Sequence, residues 1–258
     1  MKDAREHLEE ALNTSNFDLG GYINHGFSIW RKGAVAFIGF MLIVIVISMV
    51  LAFIPVFGSL LSSLFVSSCL TLGAYFVAQK IDDDEEFTFE NFFDGFQFIA
   101  QVIVLNLIIF AIAFLLIIPF ALMVGFPFII AAFSGDPSSM DFGGFSPMAI
   151  LAILPLIYAS LLATFAVPMI GFYGLSSLEA LQYSARFCHK HWILLFLFFI
   201  IVMVIVCLGF IGMIIGVFVT ASFIYPMIYA VFQDLTDWEG YNSDGVSDPE
   251  IDTLDYFR

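Results

Sequence analysis

Four hydroxyl residues, Ser59, Ser63, Ser67 and Thr71, recur every fourth position in an otherwise apolar stretch. On a helix this spacing places all four on one face. Such a stripe lets a second helix approach closely and share hydrogen bonds across the contact. The alternative is a polar wall along the path of a neutral solute. Packing is the favoured reading, because no ionisable group accompanies the stripe. Gly212, Gly216 and Thr220 form a second small-residue ridge of the same kind. Gln101 and Asn106 place amides in another apolar run, where an interhelical hydrogen bond is the simplest use for them.

Metal chemistry has little to build on. Asp82 to Glu86 is a run of five acids, and hard cations take carboxylate oxygens. No glycine-punctuated ligand loop accompanies the run, so a solvated charge cluster is expected. His189 and His191 are two residues apart, which does not suit joint ligation from one helix face. His7 and His25 stand alone, and Cys69, Cys188 and Cys207 are isolated. Neither a metal site nor a disulfide framework is expected. No nucleophile elbow, P-loop, HExxH or paired-carboxylate context is present. The sequence nominates no catalytic residue and no cofactor.

These side chains must be carried by membrane helices. The chain is 61% apolar and 12% charged, against about a half and a quarter for soluble domains. Its mean hydropathy is +1.02. Several uncharged runs exceed the roughly 20 residues needed to cross a bilayer core of about 30 Å. They do not alternate as barrel strands would. The net charge of −15 offers no basic patch to neutralise phosphates, which excludes nucleic-acid binding. No cleavable signal peptide is expected; the first span would act as the insertion signal.

The expected architecture is an all-α membrane protein with six transmembrane helices in three hairpins, each hairpin preceded by an amphipathic interfacial helix. Residues 1–16 form a polar N-terminal segment. The membrane domain covers 17–233, with spans near 34–54, 59–79, 98–120, 147–167, 192–210 and 213–232. An acidic, flexible tail occupies 234–258. The first elbow helix lies over 17–30 and ends at Trp30. In the second, Phe89, Phe92, Phe93 and Phe96 recur at α-helical spacing. The third begins at a Ser176–Glu179 capping box and leads to Trp192. These aromatics are the expected anchors at headgroup depth. Pro119, Gly125 and Pro127 suggest a span ending near Phe120, followed by a broken apolar segment over 121–133. Pro168 to Gly174 reads as a turn.

The first and last thirds share an order: elbow helix, basic pair, span, tight turn, glycine-led span, Tyr, Gln. Offsetting the chain by about 154 positions pairs Gly58 with Gly212, Ser68 with Ser222, Tyr75 with Tyr229, Val77 with Val231 and Gln79 with Gln233. The middle third repeats the order without the basic pair. Under six spans every Lys and Arg lies on one side of the membrane, so both termini are expected in the cytoplasm. The three repeats then run parallel about an axis near the membrane normal.

The segments EALQYSARFCHKHW, GFIGMIIG and IYPMIYAVFQDL resemble the C-terminal part of a group of bacterial six-helix membrane proteins. That group is similar to the membrane domain fused to some glycerophosphodiester phosphodiesterases. Glu179, Ala180, Leu181, Ser184, Trp192, Gly212, Gly216, Pro226, Tyr229 and Asp234 carry the resemblance. Gly26, Trp30, Gly58, Gly73 and the FFDGF segment match more loosely. The resemblance implies fold and a cell-membrane location. The phosphodiesterase activity belongs to a soluble domain that this sequence does not contain, so no catalytic residue is implied. The expected role is a non-enzymatic scaffold in the lipid bilayer, binding a protein partner or lipid through its cytoplasmic elbows and tail. The alternative is a carrier for a neutral or apolar solute. A third option, an enzyme acting on lipid headgroups, would need acids gathered around a cleft.

Overall fold

The computed structural model describes residues 4–15, 17–54, 58, 62–134, 145–209 and 213–243. For 63, 64, 119–134, 145–156 and 213–215 it describes the backbone alone. The described residues are 91% helical, with no strand among them. The helices are α1 (Ala4–Thr14), α2 (Leu19–Ala52), α3 (Ser67–Asp82, preceded by a π turn over Ser62–Val66) and a 3₁₀ elbow (Phe89–Phe98). They continue with α4 (Ile99–Ser134), α5 (Phe145–Tyr173), α6 (Ser177–Lys190), α7 (Trp192–Gly209), α8 (Met213–Ser222), α9 (Ile224–Thr236) and α10 (Trp238–Ser243).

Among the described residues, four helical stretches are long and apolar enough to cross a membrane: Leu19–Ala52, Phe89–Ile118, Trp192–Gly209 and Gly216–Thr236. A shorter apolar helix covers Ile157–Tyr173. Their outer faces carry Phe53, Phe114, Leu115, Trp192 and Met203, all strongly exposed. Water would not tolerate a patch of that size, but lipid would. The protein is therefore a helical membrane protein.

Local chemistry sets the helix boundaries. Asp18 caps α2 by accepting from the Gly21 amide at 3.1 Å. Ser176 and Glu179 close the expected capping box on α6. α2 kinks at Gly33 (φ −113°, ψ 20°). α6 stops at His191 with the same dihedrals (φ −114°, ψ 22°). In both places a basic pair, Arg31–Lys32 or His189–Lys190, comes just before the break. The elbow thus turns into the span at the same point with the same backbone geometry.

Four expectations need correction. α4 runs unbroken from Ile99 to Ser134 through Pro119, Gly125 and Pro127. Its 36 residues extend about 54 Å, well beyond the roughly 30 Å core. In apolar surroundings a broken helix would leave backbone groups unpaired, so the helix persists across its prolines. The segment at 168–173 is likewise helical, and α5 ends only at Gly174, which takes the left-handed conformation (φ 61°). The last apolar run is divided at Phe223 between α8 and α9. Pro226 has no N–H to offer the Ser222 carbonyl, which explains the division. Finally, residues 234–243 are not a loose tail. Asp237 turns the chain in the left-handed region (φ 50°), and α10 follows with Trp238 and Tyr241 buried. Tyr256, Phe257 and the rest of 244–258 lie outside the described residues.

The core lies where α3, α5 and α9 meet. Phe172 of α5 stands 5.2 Å from Phe76, 6.1 Å from Tyr229 and 5.4 Å from Phe232, centroid to centroid. These tilted ring contacts, within the centroid range of favourable aromatic pairs, help to fix one arrangement of the three helices. α1 is also part of the fold: Ala4, His7, Leu8 and Ala11 are buried. Lys190 Nζ donates to the Leu12, Asn13 and Ser15 carbonyls and so caps the C-terminus of α1. The ion pairs Arg5–Glu179 (2.6 Å) and Arg186–Glu9 (3.4 Å) are largely exposed and add little stability.

Candidate functional site: elbow crossings and the polar layer

Each elbow crosses another helix at a small residue. Gly26 of α2 lies on α9, where a Cβ would stand 2.7 Å from the Met227 Cα. Gly95 of the 3₁₀ elbow lies on α3, and a methyl group there would collide with the Cys69 carbonyl oxygen. Across the same crossing, a methyl group on Gly73 would collide with the Phe92 carbonyl oxygen. On α6, Ser184 is fully buried and donates to the Leu162 carbonyl of α5 at 2.8 Å. The second and third elbows sit on the helix that precedes them in the chain. The first sits on the last long helix, α9.

The 3₁₀ geometry changes the role of the phenylalanines. With three residues per turn, Phe89, Phe92, Gly95 and Phe98 share one face. Phe92 is fully buried, stacked on Phe40 at 4.4 Å and edge-on to Phe37 at 5.7 Å. It is a core residue and not an interfacial anchor. Phe89 and Phe93 are exposed, and Phe96 is half-buried. Trp192 is exposed, at 64%. Trp30 is half-buried, and its Nε1–H donates to Ser222 Oγ at 3.0 Å.

The hydroxyl stripe is only partly described. Ser59 and Gly212 lie outside the described residues, and Ser63 is described by its backbone alone. Ser67 is exposed and Thr71 half-buried. Asn106 is buried and donates to Ser68 Oγ at 2.9 Å, one position off the expected stripe. The Gln101 carbonyl accepts from Ser177 Oγ at 2.7 Å, while its side chain is exposed. Gly216 backs directly onto Gly209 of α7. Thr220 Oγ1 is within 3.0 Å of the Gly216 carbonyl and 3.4 Å of the Val206 carbonyl.

A layer of polar contacts joins the first elbow to the C-terminal ends of α3 and α9, and ties α1 and α5 to the turn at the end of α9. Tyr22 donates to Asp234 at 2.6 Å, His25 meets Asp82 at 2.8 Å, and Lys32 meets Asp84 at 2.7 Å. Tyr173 donates to the Thr236 carbonyl at 2.8 Å, and Gln233 Nε2 donates to Glu239 at 2.8 Å. His7 Nε2 lies 3.0 Å from the Asp237 carbonyl. The hydrogen bond to Asp82 holds His25 above the ordinary imidazole range, against the opposing effect of burial. Burial, then the neighbouring Asp82 and Glu85 charges, push the Asp83 carboxyl up. Burial, then Lys190, push His191 down. None of these crossings or pairs was read from the sequence as a site. A signal was present: HGF at 25–27 and DGF at 94–96 place a Gly–Phe pair in each of the first two elbows.

An open cleft of about 430 Å³ beside α1 is lined by Thr14, Ser15, Asp18, Asp234 and Asp237, among others. Its carboxylates are already engaged. Asp18 caps α2, Asp234 accepts from Tyr22, and Asp237 lies 3.8 Å from His7. Among the described residues, no group of three or more His, Cys, Asp or Glu side chains is placed to hold a metal ion.

Beneath this layer the Tyr229 hydroxyl, Gln233 Oε1 and Trp238 Nε1 are buried without a partner. Deleting the Tyr229 hydroxyl leaves no other group unpaired. Tyr229→Phe is therefore expected to leave thermal stability unchanged or to raise it by up to about 1 kcal/mol. A clear loss in a melting experiment would mean that a bound water satisfies the hydroxyl.

Comparison with protein-family models, with curated proteins and with solved structures gives no match.

Proposed function

We propose that this protein is a non-enzymatic six-helix scaffold of the cell membrane. It comprises three parallel units of elbow helix plus hairpin, with both termini in the cytoplasm. The elbow face and the acidic tail together hold a partner protein or lipid. The observation that carries this reading is that each of the three elbows is packed tightly on another helix, α9, α3 and α5, through Gly26, Gly95 and Ser184. An arrangement built to present a rigid polar face suits binding better than gated transport. The matching breaks at Gly33 and His191 support the three-unit organisation. The confinement of all Lys and Arg to one side of the proposed six spans supports the orientation. The resemblance to the membrane domain of glycerophosphodiester phosphodiesterases agrees with the same fold and location.

The test is crosslinking and affinity purification of the native protein from mild detergent, with proteins and lipids identified by mass spectrometry. The informative truncation begins at residue 244, because Trp238 and Tyr241 are buried and a longer deletion would disturb the fold. A stoichiometric protein partner lost on that truncation is the expected result. Recovery of a small neutral solute, with no protein partner and no bound lipid, would overturn the reading. It would favour a carrier lined by Ser59, Ser63, Ser67, Thr71 and Asn106.

A further inference from the structure

We propose that His25 is a proton-controlled pin at the junction where the first and last long helices of the chain meet. Protonation tightens the hold of the first elbow on the end of α3, and proton loss weakens it. The residue lies on the elbow portion of α2, before the Gly33 break, outside the stretch assigned to the membrane. One side of that elbow is fixed to α9 by the Gly26–Met227 approach and the Tyr22–Asp234 hydrogen bond. The other side meets the end of α3 through the 2.8 Å contact between His25 Nε2 and Asp82. His25 is thus one of the links, with Lys32–Asp84, that close α2, α3 and α9 into one junction.

The charges around it decide what its proton does. From α3 it faces Asp82, with Asp83 next to it; from α9 it feels Asp234, and from α10 Glu239. On its own helix, Tyr22 is engaged with Asp234 and Lys32 with Asp84. A protonated His25 is the cation at the centre of this acidic group. Without its proton, Asp82, Asp234 and Glu239, from three helices, lose the charge of the cation that they share, and their mutual repulsion is less offset. The half-exposed ring, at 37%, gives protons access from water.

The direction with pH follows by linkage. His25 in the folded protein holds its proton to higher pH than the free side chain at 6.5. Its stabilising effect is therefore complete below about pH 6.5 and is lost as pH rises through the raised value. The change sets in above the free imidazole value, and small shifts of this kind make histidine a pH switch.

The test uses the full-length protein in phosphatidylcholine nanodiscs. Histidine ring NMR resonances, with His25 assigned by its loss in His25→Gln, should show it titrating above pH 6.5. Between pH 6 and 8.5 the wild-type Tm should fall by several degrees. His25→Gln and Asp82→Asn should remove most of that slope, whereas His7→Gln should keep it. His25→Arg, a cation at every pH, should hold the acid-like Tm at pH 8.5. If His25→Gln does not fold, the wild-type titration and Asp82→Asn decide the matter. Titration of His25 at or below the free imidazole value would overturn the proposal. So would an undiminished pH slope in Asp82→Asn or a folded His25→Gln.

Discussion

Gly95→Ala is expected to lower stability by about 3 kcal/mol, at the upper end of what overpacking costs, and with it most of the yield of monodisperse protein. The new methyl group would meet the Cys69 carbonyl oxygen and stand 2.7 Å from the Gly73 amide nitrogen. Both neighbours are backbone atoms of α3, so no side chain can rotate away to relieve the contact. Gly73→Ala makes the reciprocal collision with Phe92 and should behave alike. Relief requires the 3₁₀ elbow to lift, which would unstack Phe92 from Phe40 and Phe37. Gly39→Ala is the control. Its methyl group would stand 3.9 Å from Phe89, an ordinary contact, and alanine is the better helix former by about 1 kcal/mol. Gly39→Ala should be neutral or stabilising in the same melting experiment. Equal behaviour of Gly39→Ala and Gly95→Ala would mean that the elbow crossing is looser than described.

The second large effect concerns α10. Trp238→Ala should cost about 3–5 kcal/mol, as for other large aromatics removed from a core. The indole is only 5% exposed and stands 5.0 Å from Phe172, 5.1 Å from Tyr173 and 5.6 Å from Tyr241. Through Phe172 it supports the contact among α3, α5 and α9. Trp238→Phe should cost much less, because it keeps the ring packing and removes an N–H that has no partner. Thermal unfolding of both variants, followed by the remaining tryptophan fluorescence, separates the two cases. A Trp238→Ala protein as stable as the wild type would return the segment to the role of a loose tail.

That segment shows where sequence reading stops. Charge and small residues after Gln233 made it look solvated, and only the tertiary contacts of Trp238 and Tyr241 reveal a docked turn. The polar N-terminal segment is similar: its buried face is only Ala4, His7, Leu8 and Ala11, too small a stripe to announce itself. Membrane helices were legible because bilayer thickness sets a length that composition alone can meet. The Ser176–Glu179 cap was legible because both partners lie within one turn. Among the phenylalanines at 89–96, Phe92 alone is buried in the core, because a 3₁₀ helix repeats every three residues and not every 3.6. Crossing points such as Gly95 on Cys69 depend on residues far apart in the chain. No local pattern specifies them, although the recurrent Gly–Phe pair hinted at their position.

The proposed arrangement of three elbows on one cytoplasmic face requires an even number of crossings between them. It is tested most directly by site-specific labelling in intact cells. Single cysteines would be placed at Glu85, Ser139 and Ser243, with Cys69, Cys188 and Cys207 replaced by alanine, and probed with a membrane-impermeant maleimide. The account predicts labelling from outside at position 139 only, with 85 and 243 reacting after permeabilisation. Labelling of 139 and 85 from the same side, or of 243 from outside, would contradict it.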